Sequence, residues 1–505
     1  MNTEIVTYRA QQLDKKTIAI QCSNGAVIVD SDPDKILSWL TTSAYNASTA
    51  TPRAVWNLAE FVACIKSVIP DSAVKQLESN EHRAIWWSGP GLEHRIRLYY
   101  QPSKFFAPNY DHREINIYDL DQFFPDNRDP QTVEEVQAAA DELSDCFASL
   151  GVPTLTNLRS PVAVMEDSGV LDWVYGSLPD PEQIPAGCKE YACLSDMWGA
   201  WTAAYQLGYW DKAYSYDVAS CYPGQAVQLA SLDGARYEFS HKMLEGALYG
   251  FLKGDLYINP EHPFAFCSPI VAQADTFLTN PTGNLKSVYV TIDQVRFVEQ
   301  AGLGTFKLKD GWFVYPQSGS GRPLDAIMQG LYSQRLGASP LVSQVVKRII
   351  DGIIGRLGEY HQNQPTANTN PLYHSTIRSG ASIQVGRFLT QRGITQDELI
   401  HVATDGIHTT RDLGLPPVAS MGKWRSEGAN KLLVLCWDRI LEGDSCDEFL
   451  SSVKASPSGL DYDFGGKHID MISLEAQQTR AFARFPQSGK QLVSRHYMSK
   501  PIVMK

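Results

Sequence analysis

The spacing of apolar and polar residues predicts a mixed α and β region at the start of the chain. Short apolar runs at 17–20 and 26–29 are typical of strands, whereas residues 34–40 and 56–69 carry apolar positions at helical spacing. Residues 115–124 alternate apolar and polar side chains, as a half-buried strand does. Both kinds of element are therefore expected before the first long helix.

An acidic helix and a proline-rich segment follow this region. Residues 131–150 have a helical pattern that ends at Gly151 and Pro153. Segment 176–187 contains three prolines, which favours an extended connection between two domains. Beyond it, strand-like and helix-like pieces alternate irregularly, as they do in an α+β domain.

Two aspartates stand at the predicted ends of strands. Asp217 follows a short aromatic run and precedes small residues, and Asp405 lies between two β-branched runs with Gly406 for a tight turn. This pattern predicts a hairpin with Asp405 at its tip. A single aspartate near a turn is most often a cap or a solvated loop residue. Two such acids on adjacent strands can instead hold a pair of Mg²⁺ ions, as in enzymes that transfer phosphoryl groups.

An amphipathic helix is predicted between the two acids, at 327–358. Its apolar residues recur at helical spacing, and Gly352 and Gly355 are expected to break it. Arg335 lies about three turns before the basic part of this helix if the helix continues through Pro340, or on a neighbouring helix if it does not.

One face of this helix carries a candidate phosphate site. Lys347, Asp351 and Gly355 follow one another at intervals of four residues and therefore lie close to one face. A cation beside a bare glycine backbone suits a bound triphosphate. The alternative is a solvent-facing stripe with an ordinary Lys-Asp pair.

The charge balance limits how the protein can use nucleic acid. With 44 basic and 56 acidic residues, the net charge is −12, which argues against coating nucleic acid through bulk charge but leaves room for a local basic groove. Residues 465–505 carry seven basic and two acidic side chains, with aromatic residues between them. Such a segment suits a grip on a nucleic-acid backbone, and the alternative is a solvated basic terminus.

The cysteines and the hydropathy indicate an intracellular setting. The nine cysteines are scattered without CxxC or zinc-site spacing, so reduced thiols are expected. No apolar run approaches the roughly 18 residues of a membrane span. We therefore expect a cytoplasmic, soluble protein with no membrane partner.

Three segments, taken in order, resemble the polymerase motifs of family B DNA polymerases, most closely those of the compact phage and plasmid branch that includes protein-primed enzymes. The sequence from Asp217 to Pro223, DVASCYP, resembles DxxSLYP with cysteine in place of leucine. The sequence KRIIDGIIG, which begins at Lys347, is similar to KxxxNSxYG, and ATDG, which ends at Gly406, is similar to DTDS. Connecting segments 278–302 and 369–389 and the turn GKW at 422–424 also resemble the family, so the likeness covers roughly residues 155–485.

The resemblance implies a right-hand polymerase of α+β class, with palm, fingers and thumb, preceded by an N-terminal mixed α/β domain. That first domain is expected to be exonuclease-like and inactive, or an unrelated replacement, because no Asp-x-Glu triplet occurs in it. The implied layout is 1–150 for the N-terminal domain, 151–190 for a linker region, 191–320 for the first part of the palm with an insertion, 321–362 for the fingers, 363–425 for the second part of the palm, and 426–505 for the thumb and basic C-terminal segment.

The resemblance also implies roles for individual residues. Asp217 and Asp405 would be catalytic and would bind two Mg²⁺ ions, with Mn²⁺ as an alternative, and the Val218 carbonyl would be a further ligand. Tyr222 would lie beneath the sugar of the incoming dNTP and exclude a 2′-hydroxyl. The remaining nucleotide contacts are expected from Ser220, Cys221, Arg335, Lys347 and Asp351, and those to primer and template from Gly355, Arg356, Lys423, Lys431, Arg480 and Arg484.

Several positions depart from the family pattern. Ala403 replaces the first acid of the third motif, which leaves two carboxylates for two ions, and Ile354 replaces the tyrosine of the second motif. The KxY signature that steadies the primer end has no clear counterpart, and Lys431 is the candidate to replace its lysine. These changes bear on fidelity and on substrate choice.

The expected function is addition of dNTPs to a primer 3′-hydroxyl, directed by a template and without 3′-5′ proofreading. The expected partners are primer-template DNA, dNTPs and a terminal protein or other replication proteins of a phage or plasmid. Two alternatives remain open at this point. One is a nucleotidyltransferase that acts as a primase, without a template or on ribonucleotides. The other is a catalytically inactive, polymerase-like protein that binds nucleic acid.

Overall fold

The structure is a computed structural model that divides into two compact units. Unit 1 comprises Met1–Ser177 and Gln329–Ile353, and unit 2 comprises Leu178–Met328 and Ile354–Lys505. The residues that the structure describes are 5–14, 17–32, 35–36, 39–40, 52–57, 60–61, 63–64, 67, 74–79, 82–87, 94–99, 113–125, 128–196, 201–270, 272–273, 278–279, 282–361, 364–366, 368–436, 439–447, 454–456, 459–464, 467–470 and 498–499.

Unit 1 contains an eight-stranded mixed sheet. Its strands lie in the order β3-β2-β1-β4-β8-β7-β6-β5, with parallel pairing from β1 through β4 and β8 to β7 and antiparallel pairing at both ends. The strands are β1 (Val6–Gln12), β2 (Ile18–Cys22), β3 (Val27–Asp30), β4 (Arg53–Val55), β5 (Val74–Ser79), β6 (His82–Trp87), β7 (His94–Tyr99) and β8 (Arg113–Asp119).

Helix α1 (Val133–Ser149) packs on β1 and is fixed by its first residues. The Thr132 hydroxyl accepts a hydrogen bond from the Glu135 amide at 3.2 Å, and the Glu135 carboxylate accepts one from the Thr132 amide at 3.2 Å. This capping box satisfies amides that a helix start leaves without partners. The acidic helix predicted at 131–150 is therefore confirmed. Two short helices follow it, α2 (Pro161–Asp167) and α3 (Asp172–Gly176).

Unit 2 is built on a central antiparallel sheet of order β22-β21-β10-β20-β19-β9, with β26 beside β10. The long helix α9 (Pro371–Gln391) covers one face of it, and a buried core that includes Tyr216, Val385, Leu389 and Ile407 lies between them. The strands of this sheet are β9 (Thr202–Ala204), β10 (Gln206–Val218), β19 (Leu399–Ala403), β20 (Gly406–Thr409), β21 (Trp424–Cys436), β22 (Arg439–Glu442) and β26 (Met498–Ser499).

A second sheet in unit 2 has the order β11-β16-β12-β15 and packs against two helices. Its core includes Leu252, Phe313 and Val298, all fully buried. The elements are β11 (Arg236–Ser240), β12 (Tyr249–Ile258), β15 (Gly283–Thr291), β16 (Gly304–Tyr315) and the helices α4 (Ala186–Ser195) and α6 (Ile292–Gln300). The smaller elements are α5 (Cys221–Ala226), β13 (Ala272–Gln273), β14 (Leu278–Thr279), β17 (Tyr360–His361), β18 (Gln364–Pro365), β23 (Lys454–Ser456), β24 (Gly459–Phe464) and β25 (Lys467–Asp470).

The prediction that Gly352 and Gly355 break the helix at 327–358 is wrong, because the interruption lies between Arg335 and Pro340. Helix α7 (Asp325–Arg335) ends before Pro340, and α8 (Pro340–Leu357) runs through both Gly352 and Gly355 without interruption. Proline at the first position of a helix is favourable because its missing amide proton has no partner there in any case. Arg335 therefore ends one helix, and Lys347 and Asp351 lie on the next.

None of the helices within the described ranges combines the length and the apolar character that crossing a lipid bilayer requires. Most of the basic segment 465–505, including Arg480 and Arg484, lies outside the described residues.

Candidate active site

Asp217 lies near the end of β10, in the middle of the central sheet of unit 2. Antiparallel pairing places it opposite Gly406 in β20 on one side and opposite Arg425 in β21 on the other. A residue held between two hydrogen-bonded strands has little freedom of its backbone. The prediction of an acid at a strand end is confirmed by these bounds.

Asp405 lies in the turn that joins β19 to β20, as the sequence predicts. Its carbonyl oxygen accepts a hydrogen bond from the Val218 amide at 3.1 Å. The left-handed backbone of the turn belongs to Thr404, with φ 59°, rather than to Gly406. A β-branched residue rarely adopts this conformation, and the Thr404 amide is held by the Trp201 carbonyl at 2.7 Å. The turn that carries Asp405 is thus fixed from outside.

The two acids are brought together by this register. Asp405 is the residue before Gly406, which pairs directly with Asp217. Both carboxylates also act on one neighbour, since burial raises the pKa of the Cys221 thiol and the charges of Asp405 and then Asp217 raise it further. The structure therefore assembles the predicted pair of carboxylates from segments that are far apart in sequence.

The residues after Asp217 turn sharply into the short helix α5. Ser220 has a left-handed backbone, with φ 48° and ψ 59°, and the helix begins at Cys221. Tyr222 is mostly buried, and this burial raises the pKa of its hydroxyl to about 12, against the charge of Arg378 and with the help of Asp405. Tyr222 is therefore a neutral phenol at the edge of the acid pair.

The turn Gly422–Trp424 packs directly onto α5. A Cβ atom at Gly224 would lie 2.8 Å from the Cα of Gly422, so only glycine allows the approach. The Ala219 amide donates to the Lys423 carbonyl at 2.9 Å, and the Gly422 amide donates to the Ala219 carbonyl at 2.7 Å. Lys423, a predicted primer or template contact, is thereby held next to the segment that follows Asp217.

A cavity of about 600 Å³ adjoins this turn within unit 2. Lys423 and Arg387 supply two cations to its wall, and Trp424 is stacked on Phe388 with ring centroids 4.1 Å apart. Side-chain amides make up much of the rest of the polar lining, namely Gln225, Gln228, Gln384 and Gln391. Arg387 was not among the residues singled out from the sequence, although its place in the segment 369–389 could have indicated it.

Arg425 makes a bidentate contact with Asp217 that could not be predicted from the sequence. Its Nε donates to Oδ1 of Asp217 at 2.6 Å, and its Nη2 donates to Oδ2 at 2.9 Å. The same Nη2 donates to Oε1 of Glu427 at 3.1 Å. Partial burial and then the charge of Asp217 raise the pKa of Glu427, and Arg425 opposes the rise. An arginine and a third carboxylate thus adjoin the acid pair.

The donor set of this site fits Mg²⁺. Magnesium prefers oxygen ligands and commonly takes one or two carboxylates, with water and substrate phosphates completing its shell. Asp217 and Asp405 provide two carboxylates, and Ala403 offers none. Among the described residues, no group of three or more histidine, cysteine, aspartate or glutamate side chains is arranged so that it could hold a metal ion, so water and substrate would have to complete the ligand shell.

The predicted triphosphate residues Arg335, Lys347 and Asp351 belong to unit 1. Arg335 donates from Nε to the Ser343 hydroxyl at 3.4 Å. The side chain of Asp351 keeps some exposed surface, but its carboxyl group is partly desolvated, and this raises the pKa of Asp351. The positive charges of Lys347 and Arg335 oppose the rise. The three side chains therefore form one electrostatic cluster.

Three other predicted contacts have ordinary structural surroundings. Gly355 borders open space, Arg356 forms an ion pair with Glu359, and Lys431 forms one with Asp447. The role of each in binding primer or template remains a prediction.

The parallel strands at the centre of the unit 1 sheet carry few acids. Strands β1 (VTYRAQQ), β4 (RAV) and β7 (HRIRLY) contain no carboxylate, whereas β8 (REINIYD) contains Glu114 and Asp119. The expectation that this region lacks a two-metal exonuclease centre rests on the absence of an Asp-x-Glu triplet, and it stays a prediction.

Comparison with solved structures relates this fold, at a distance, to that of a DNA polymerase. The chain is similar to Phi29 DNA polymerase in its ternary complex with primer-template DNA and incoming nucleotide, with a TM-score of 0.56, 10% identity, and coverage of 93% of this chain and 89% of that chain. It is also similar to the orthorhombic crystal form of that polymerase, with a TM-score of 0.54, 11% identity, and coverage of 92% of this chain and 89% of that chain. For the post-translocation binary complex with primer-template DNA, the TM-score is 0.53, the identity 11%, and the coverage 92% of this chain and 91% of that chain. No family model and no curated protein matches the chain. At this identity the likeness shows a polymerase fold of mixed α and β content and leaves activity to be tested.

Proposed function

We propose that this protein is a template-directed DNA polymerase that extends a primer 3′-hydroxyl with dNTPs. The observation that carries the proposal is the pairing of Asp217 with Gly406, which brings Asp217 and Asp405 together at the ends of facing strands. A polymerase fold supports the same reading. Paired carboxylates at this position suit the in-line displacement that two-metal enzymes catalyse.

We assign metal binding and phosphate binding to different residues of the chain. Asp217 and Asp405 would hold two Mg²⁺ ions, with the Val218 carbonyl as a further ligand. The bound ions would activate the 3′-hydroxyl and neutralise the charge that develops on the triphosphate. Backbone amides from Ser220 to Tyr222, which adjoin the left-handed turn at Ser220, would help to hold the phosphates. The assignment of Arg335 and Lys347 to phosphate binding rests on the sequence resemblance alone.

Sugar selection is assigned to Tyr222. Its ring is mostly buried and its hydroxyl is neutral, so it presents a fixed, bulky surface beside the acid pair. A 2′-hydroxyl on the incoming nucleotide would collide with that surface. This steric exclusion favours dNTPs over NTPs.

The proposal places duplex DNA at the cavity beside the Gly422–Trp424 turn. Arg387 and Lys423 are exposed cations on its wall, and phosphate contacts of this kind position a duplex without reading its sequence. We assign no proofreading to unit 1. From the sequence resemblance alone, we also propose that the protein replicates a phage or plasmid genome in a bacterial cytoplasm. A terminal protein would be a further partner.

A primer-extension assay tests the proposed function. The wild-type protein with Mg²⁺, dNTPs and a primed template should extend the primer, and Asp405→Asn or Asp217→Asn should reduce the rate by at least about a hundredfold, since each removes an ion ligand. Asp397→Asn is the matched control, because Asp397 lies at an exposed turn of the same unit.

The same assay separates the alternatives. Incorporation without primer or template, or of NTPs, would indicate a primase-like or template-independent nucleotidyltransferase. DNA binding without incorporation under any condition would indicate an inactive polymerase-like protein. Undiminished extension by Asp405→Asn would contradict the proposed mechanism.

A further inference from the structure

The contact between Arg425 and Asp217 occupies the carboxylate that the proposed function assigns to metal. Both carboxylate oxygens of Asp217 accept hydrogen bonds from one guanidinium group, at 2.6 and 2.9 Å. Paired donors of this kind match the planar shape of a carboxylate and are stronger than single contacts. The pair is set by the sheet itself, because Asp217 and Arg425 are register partners in β10 and β21.

A cation bound to Asp217 must compete with this guanidinium. A divalent ion needs lone pairs of the same oxygens, and its charge would be repelled by Arg425 at contact distance. Simultaneous occupation in the present geometry is therefore unfavourable. Either the ion binds weakly or Arg425 moves.

The structure also provides a second partner for Arg425. Nη2 already contacts Oε1 of Glu427 at 3.1 Å, and Glu427 lies two residues along the same strand. A small rotation of the Arg425 side chain could keep this contact and release Asp217. The side chains of Glu427 and Arg425 are partly buried but remain 45% and 37% exposed, so neither is locked by packing.

We propose that Arg425 is a resident counter-ion of Asp217 that must move to Glu427 before Asp217 can bind a metal ion. This inference rests on the proposed function, because it assumes that Asp217 is a metal ligand. Arg425 acts here through Asp217 and is a positioning residue. It lowers the affinity of the site for metal and keeps Asp217 ordered when metal is absent.

Binding of Mn²⁺ alone, followed by the electron paramagnetic resonance signal of the free ion, tests the proposal without substrate. Arg425→Gln should bind Mn²⁺ about three- to tenfold more tightly than the wild type, the effect of removing one charge beside a carboxylate. Arg425→Lys keeps the charge but loses the paired donors, so its Mn²⁺ affinity should lie between that of the wild type and that of Arg425→Gln. Arg411→Gln is the control, since it removes an arginine that pairs with Glu398 at 3.1 Å elsewhere in unit 2, and should leave the affinity unchanged.

Thermal unfolding gives an independent readout. In EDTA, Arg425→Gln should unfold at a lower temperature than the wild type because Asp217 loses its partner. Added Mn²⁺ should raise the unfolding temperature of this variant more than that of the wild type. Equal Mn²⁺-induced shifts would speak against the proposal.

A double-mutant cycle tests the role of Glu427. Glu427→Gln should weaken Mn²⁺ binding in the wild type and have a smaller effect when Arg425 is already glutamine. Equal effects in both backgrounds would overturn the assigned movement of Arg425. Equal Mn²⁺ affinity of wild type and Arg425→Gln, with primer extension intact, would overturn this inference alone. Absence of Mn²⁺ binding in every variant would overturn it together with the proposed function.

Discussion

At the scale of single residues, Tyr222 carries the most specific prediction. Tyr222→Ala should raise the incorporation of ribonucleotides relative to deoxynucleotides by at least about tenfold, because it removes the bulk that would collide with a 2′-hydroxyl. Competitive primer extension with dNTP and NTP mixtures measures the ratio. Tyr257→Ala, a tyrosine with 39% exposed surface, is the control and should leave the ratio unchanged. Unchanged discrimination in Tyr222→Ala would remove Tyr222 from the sugar pocket.

A second residue-scale prediction concerns pH and the pair His408–Glu442. Nε2 of His408 lies 3.1 Å from Oε1 of Glu442, and this hydrogen bond lowers the pKa of Glu442 against the opposing effect of burial, with the charges of His408 and His401 adding to it. A carboxyl whose pKa is lower in the folded state stabilises the fold above its unfolded pKa of about 4.3, and that stability is lost as pH falls through the folded value.

Glu442→Gln should therefore lower the urea midpoint of unfolding near neutral pH and converge with the wild type in acid. The side chain of Glu442 is 43% exposed, so solvent limits the difference to less than about 1 kcal/mol. Urea titrations from about pH 6 to about pH 3 measure it. A difference that does not change with pH would contradict the assignment.

At the scale of elements, the two glycines of α8 have opposite roles. A Cβ atom at Gly352 would lie 2.6 Å from Cβ of Val162 in α2, whereas one at Gly355 would meet nothing within 4 Å. Gly352→Ala should destabilise unit 1 by about 1–3 kcal/mol through overpacking. Gly355→Ala should stabilise the helix by about 0.5–1 kcal/mol, since alanine has the higher helix propensity.

Chemical unfolding of the two variants tests this contrast. Val162→Ala combined with Gly352→Ala should recover part of the loss, because it removes Cγ1 and Cγ2 of Val162, two of the three atoms that collide. Similar destabilisation by Gly352→Ala and Gly355→Ala would mean that helix packing does not distinguish the two positions.

These elements also show how far local pattern predicts the structure. The hairpin of Asp405 and the strand that ends near Asp217 follow from runs of β-favouring residues that bound each acid, and both are predictable. The need for glycine at position 352 of α8 cannot be predicted in this way, because the residue that a Cβ atom would meet there, Val162, is far away in sequence. The contact of Arg425 with Asp217 depends on the register of two strands separated by many elements, which local pattern does not contain.

At the scale of the whole molecule, unit 1 bears on fidelity. Residues 1–125 contain no Asp-x-Glu triplet of the kind that begins the exonuclease of family B polymerases, so we expect no degradation of a labelled single strand in Mg²⁺. Incubation with 5′-labelled DNA in the absence of dNTPs measures this. Shortening that is abolished by replacing a carboxylate of residues 1–150 would reveal an exonuclease and overturn the expectation.

The net charge of −12 sets the last prediction, because an acidic protein repels DNA except where its cations are gathered. Binding of primer-template DNA should be modest and should weaken steeply with salt. Arg387→Ala and Lys423→Ala should each reduce the slope of log affinity against log salt by about 0.9, the value for one phosphate contact. Fluorescence anisotropy between 50 and 200 mM salt, about the range over which such contacts weaken, measures the slope. Lys286→Ala is the control, since Lys286 pairs with Asp255 away from the cavity. If the slope of Lys423→Ala equalled that of Lys286→Ala, the cavity beside the Gly422–Trp424 turn would not be the DNA contact, and the cations that bind the duplex would have to be sought elsewhere in the chain.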